Sequence, residues 1–85
     1  MIDVKKLEEG LNGLVGFDLE AVEKEERLAG NTTLELSTSK SFQARLAARA
    51  LNMNVHDLKS LPLKEYNQIC VRVFGFLNEP VEPTT

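Results

Sequence analysis

Residues 63–77, LKEYNQICVRVFGFL, constrain the fold more than any other stretch of this chain. Leu63, Tyr66, Cys70, Val73 and Leu77 recur at spacings of three and four, which places them on one face of an α-helix. Ile69 and Phe76 extend that face at one edge and Phe74 at the other, while Val71 lies outside it. The apolar arc spans about 160°, wider than the ~100° stripe that a surface helix needs. Such a helix cannot stand alone in water. It is either the central helix of a bundle or the carrier of a partner surface, and Ile69, Phe74 and Phe76 are the candidate partner-binding residues.

What can pack against this helix is limited by length. The chain has 85 residues, 42% of them apolar, which suits one domain with one modest core. A single cysteine excludes an internal disulfide framework and a four-cysteine zinc site. No apolar run reaches the length of a membrane-spanning helix. The first nine residues carry Asp3, Glu8 and Glu9 and do not read as a signal peptide. The expectation is an unexported protein of a reducing compartment.

Other helices are legible upstream. Residues 2–11 suit either a short helix, capped by Asp3 and stopped at Gly10, or a short strand at residues 2–4. Gly10, Gly13 and Gly16 then read as turns, since glycine costs about 1 kcal/mol per helical position. Residues 17–29 are rich in helix formers, with Gly30-Asn31 as a stop. Phe17, Ala21 and Leu28 share one stripe of that helix. Val15, Leu19, Val22 and Ala29 share the adjacent one, and Glu20, Glu23, Lys24 and Arg27 lie opposite. Residues 31–41 read as a polar loop. Residues 42–51 form a second, alanine-rich helix, beginning at Ser39 or Lys40, with Arg45 and Arg49 on its polar side. Asn54 and Asp57 resemble a capping box for a short helix over 56–61, and Pro62 separates it from the last helix. Residues 80–85, with Pro80 and Pro83, read as a disordered tail. The prediction is an all-α domain over residues 1–79, a small bundle of three main helices plus one or two short helices.

Candidate chemistry is sparse. His56 is the sole histidine and Cys70 the sole thiol. Cys70 falls in the apolar repeat and His56 at a polar helix start, so a core cysteine and a surface histidine are expected rather than a catalytic pair. Glu20, Glu23, Glu25 and Glu26 read as a solvated helix face with a Glu23–Arg27 pair. No ligand spacing suggests a metal, no glycine loop suggests a phosphate, and no constellation suggests an enzyme or a cofactor.

Charge is unevenly spread. Net charge is −3 overall, but −5 over residues 1–36, +3 over 37–60 and −1 over 61–85. The basic island overlaps residues 46–61, LAARALNMNVHDLKSL, which have a helix-turn-helix cadence. A small DNA-binding regulator is therefore the alternative reading. Its would-be recognition helix offers only Lys59 as a base, beside Asp57, and ends at Pro62.

Three segments together resemble the small tail assembly chaperones of long-tailed bacteriophages. Residues 14–30, LVGFDLEAVEKEERLAG, are similar to the family pattern L-x-G-x-D-L-x-x-A-E-K-E-A. Residues 36–51, LSTSKSFQARLAARAL, resemble its serine loop, aromatic and alanine-rich helix. Residues 55–77, VHDLKSLPLKEYNQICVRVFGFL, resemble V-x-D-L-x-x-L-P-x-x-D-Y followed by a hydrophobic helix and a closing Phe-Leu. Two positions depart from the pattern. Val15 stands where many relatives have Thr or Ser, which removes a side-chain cap, and Asn52 replaces a common glycine, which asparagine can do in a left-handed turn.

The resemblance implies a non-enzymatic role in the bacterial host cytoplasm. Family members bind the long, hydrophobic tape measure protein, keep it soluble and help tail tube protein assemble around it. Many are made in a short form and a longer, frameshifted form, and on this resemblance the chain would be the short form or a shortened piece of the longer one. Many copies coat one partner, so a homo-oligomer is left open. Neither a membrane nor nucleic acid is an expected partner on this reading.

Overall fold

The computed structural model describes residues 3–79, so the expected tail at 80–85 and the first two residues lie outside it. Five helices follow one another: α1 (Val4–Gly13), α2 (Gly16–Leu28), α3 (Lys40–Leu51), α4 (Val55–Lys59) and α5 (Leu63–Asn78). A 3₁₀ turn, Leu36–Thr38, precedes α3. There is no strand among the described residues, and the fold is all-α as expected.

Helix ends follow local chemistry. The Asp3 carboxylate accepts from the Lys5 N–H at 2.9 Å and starts α1. Ser39 Oγ accepts from the Phe42 N–H at 3.4 Å, and Asn54 Oδ1 from the His56 N–H at 2.7 Å. α2 and α3 end in the same way. Gly30 (φ 96°) and Asn52 (φ 55°) take the left-handed conformation that closes a helix. The next N–H then donates back five residues, Asn31 to the Glu26 carbonyl at 3.0 Å and Met53 to the Ala48 carbonyl at 2.9 Å.

Val15 begins α2 without a side-chain cap. Only the return half of a capping box exists: the Asp18 carboxylate accepts from the Val15 N–H at 2.9 Å. Val15→Ser should therefore stabilise the domain by about 0.5–1 kcal/mol. A rise in the urea midpoint at unchanged slope is the expected readout. No rise would mean that Val15 contributes apolar contact worth as much as the cap.

The central helix is α3, not α5. α3 packs against α1, α2, α4, α5 and the 3₁₀ turn. It buries Phe42, Gln43, Ala44, Leu46, Ala47 and Ala48, which lie around most of its circumference. Alanine makes this arrangement workable, because a short side chain lets neighbouring helices approach on several sides. The more apolar α5 supplies one face to the same core, through Ile69, Cys70 and Val73. Leu7 and Leu11 of α1, Val22 of α2 and Leu58 of α4 complete it.

Gly10 does not stop α1; it lies inside the helix, which runs on to Gly13. A Cβ built on Gly10 would fall onto the Ala50 carbonyl, 2.8 Å from its carbon atom. Glycine is thus the spacer that lets α1 cross α3 in backbone contact. The burial gained at the crossing outweighs the ~1 kcal/mol propensity cost that marked this stretch as turns.

Only one of the two apolar stripes of α2 meets the core: Val22 is buried and Leu19 packs against it. Asp18, Val22 and Glu26, spaced by four, face α3, as the Asp18–Arg49 and Glu26–Arg45 pairs and the burial of Val22 show. Phe17, on one of the expected stripes, is 83% exposed, and Leu28 is also largely exposed. Two ion pairs with α3 flank the buried Val22 in this orientation. Glu26 is accordingly buried, not part of a solvated face.

Candidate functional site

The three candidate residues of α5 separate in the structure. Ile69 is 5% exposed and belongs to the core, so it cannot meet a partner without unfolding. Phe74 is 40% exposed. Phe76 is half-buried. Two residues apart on a helix is 200°, so Phe74 and Phe76 occupy opposite flanks of α5. They do not form one surface.

Phe76 leads into an apolar groove. Leu11 and Leu14 at the end of α1, and Val15 and Leu19 at the start of α2, form one wall. Phe76 and Leu77 form the other, over Leu46 of α3. The groove measures about 190 Å³. That is below the ~300–1,000 Å³ of small-molecule pockets and suits one or two inserted apolar side chains. In the sequence Leu14 falls among the glycine turns and Val15 on an apolar stripe of α2, and neither is marked as part of a partner surface; the available signal is that apolar residues, Leu11, Leu14 and Val15, interleave with the glycines.

A polar cluster joins α2 to α3 on another side. Arg45 Nε donates to Glu26 Oε2 at 2.7 Å, and Arg45 also reaches Glu25 at 3.7 Å. Asn31 Nδ2 donates to Glu26 Oε1 at 3.2 Å and to Ser39 Oγ at 2.9 Å. Burial alone would raise the Glu26 pKa. Hydrogen bonds from Ser41, Arg45 and Asn31, with the Arg45 charge, outweigh it and hold Glu26 below its usual range. Nearby, the Val15 N–H first and then Arg49 hold Asp18 low.

Two bases of the basic island are held in ion pairs and two in hydrogen bonds to neutral side chains. Arg45 is held by Glu26, Arg49 by Asp18 at 2.8 Å, Lys59 by Ser41 Oγ at 2.8 Å and Lys40 by Asn67. Arg27 turns to the carbonyls of Asn31 and Thr33. α4 is only five residues long and its Leu58 is buried.

Cys70 is buried, and burial pushes its thiol pKa up. Its Sγ lies 3.6 Å from the Lys40 carbonyl oxygen, while His56 is exposed on α4. A buried, protonated thiol is a poor nucleophile. Among the described residues no group of three or more His, Cys, Asp or Glu could hold a metal ion, and no helix is long and apolar enough to cross a membrane. No protein-family model, curated protein or solved structure matches this chain.

Proposed function

We propose that this chain is a tail assembly chaperone of long-tailed bacteriophages. It binds the tape measure protein in the host cytoplasm, keeps it soluble and assists assembly of the tail tube protein around it. The resemblance of residues 14–30, 36–51 and 55–77 to that family motivates the reading. The structural observation that supports it most is the apolar groove between the α1–α2 junction and the end of α5. A long helical partner can be held by inserting apolar side chains into such grooves, one copy after another along its length.

The pairing of Arg45 and Arg49 with α2 weighs against the alternative, a DNA-binding regulator working through residues 46–61. Phosphate contacts dominate duplex affinity, and side chains already paired within the fold are poorly placed to supply them.

A pull-down tests the proposal. Tagged chain should retain segments of the tape measure protein encoded in the same genome. Phe76→Asp should abolish retention while leaving a cooperative thermal transition, because Phe76 is only half-buried. Retention by Phe76→Asp at the wild-type level would remove the groove from the binding surface. Loss of the transition would make Phe76 a core residue.

A further inference from the structure

The geometry points to a basic amphipathic helix as the segment that the groove takes. The groove has an apolar floor and an acidic surround. Glu20 and Glu23 follow Gly16 and Leu19 of the groove wall by one helical turn on α2. Glu8 and Glu79 line the adjoining depression, which shares Phe76 with the groove. Arg72 lies 3.5 Å from Glu8, and Lys24 follows Glu20 by one turn on α2. Among the described residues no ion pair reaches Glu20, Glu23 or Glu79. Residues 1–36, which supply the α1–α2 side of the groove, carry nine acids against four bases, a balance of −5.

An apolar stripe flanked by lysine or arginine complements this surface in both respects. A second copy of the chain does not. A two-fold contact through the groove would set one acidic surround against the other. Residues 80–85, PVEPTT, add a further acid and no base and are equally mismatched. The inference rests on the chaperone reading for its natural partner, the tape measure protein, whose bound segment would then carry basic residues beside its apolar stripe.

Two synthetic amphipathic helical peptides test this directly. They share one leucine stripe, and one carries lysine and the other glutamate along its flanks. Each is titrated into the full-length, isotope-labelled chain. The lysine peptide should bind about tenfold or more tightly at low salt, with the advantage shrinking as salt rises. Its resonance shifts should centre on Leu14, Val15, Leu19, Phe76 and Leu77. The double variant Glu20→Lys/Glu79→Lys changes only exposed positions, so the fold is retained, and the preference between the peptides should reverse. Equal affinities, shifts centred elsewhere or no binding of either peptide would overturn the inference. If the peptides bind equally while the tape measure protein is still kept soluble, the groove chemistry is wrong and the chaperone reading stands. If the lysine peptide is selected but the tape measure protein is not held, the groove chemistry stands and the chaperone reading falls.

Discussion

Gly10→Ala is expected to lower the melting temperature by roughly 10 °C, although alanine is the better helix former. The gain in helix propensity is about 1 kcal/mol. Against it, the new Cβ meets the Ala50 carbonyl. Backbone cannot rotate out of the way as a side chain can, so α1 must lift from α3 along the whole crossing. Overpacking of this kind costs about 3 kcal/mol at the upper end of its usual range, which leaves a net loss of about 2 kcal/mol. Gly13→Ala is the internal control, because no atom lies near its Cβ position. It should leave stability unchanged or raise it by up to about 1 kcal/mol. Differential scanning calorimetry of the two variants separates the effects. Equal behaviour of the two would mean that α1 and α3 are not in backbone contact.

Glu26→Ala should be at least as damaging, at about 3 kcal/mol. The carboxylate is 1% exposed and joins Arg45, Asn31 and Ser41. Removing it leaves the Arg45 guanidinium without its main partner in a partly buried place. Because the Arg45 side chain is 20% exposed, water can reach it, which keeps the loss below that of a wholly buried charge. Glu26→Gln keeps the shape and should cost less. The same carboxylate predicts a pH dependence. Its folded pKa lies below the ordinary 4.5, so its stabilisation is fully present above that value. The stabilisation is lost as pH falls through the folded pKa. Urea midpoints of the wild type should therefore drop as the pH falls below the ordinary carboxylate pKa, and the drop should be shallower in Glu26→Gln. Asp18, also held low, leaves a residual slope. An unchanged pH profile in Glu26→Gln would show that the Glu26 cluster is not formed in solution.

How far the sequence anticipates this structure differs between helix ends and helix faces. Asp3, Ser39, Asn54 and Pro62 at the starts, and Gly30 and Asn52 at the stops, act through neighbours within a few residues. Their chemistry can be read locally, and the structure places them as expected. Gly10 is different. Its role depends on Ala50, forty residues away, and glycine marks both a turn and a close crossing. Glu26 resembles its exposed neighbours Glu20 and Glu25 until Arg45 arrives nineteen residues later. Which of the two apolar stripes of α2 meets the core depends on such distant partners, so the exposure of Phe17 and Leu28 is not legible in the sequence either.

The candidate site shows the same division. The width of the α5 apolar face announced surplus apolar surface, and Phe76 is where that surplus meets the groove. Ile69 and Phe76 sit close together at one edge of the helical wheel, yet Ile69 is core and Phe76 is half-exposed. The difference lies in which neighbour covers each turn of α5, which periodicity alone does not contain. Leu14 and Val15 gain their place only once α1 continues past Gly10 and turns sharply into α2.

The proposed role of this chain is to hold a tape measure protein in solution. Co-expression with the tape measure protein of the same genome, followed by separation of soluble and insoluble fractions, is its sharpest test. The tape measure protein should move to the soluble fraction and elute with several copies of this chain. A tape measure protein that stays insoluble beside folded, monodisperse chain would contradict it.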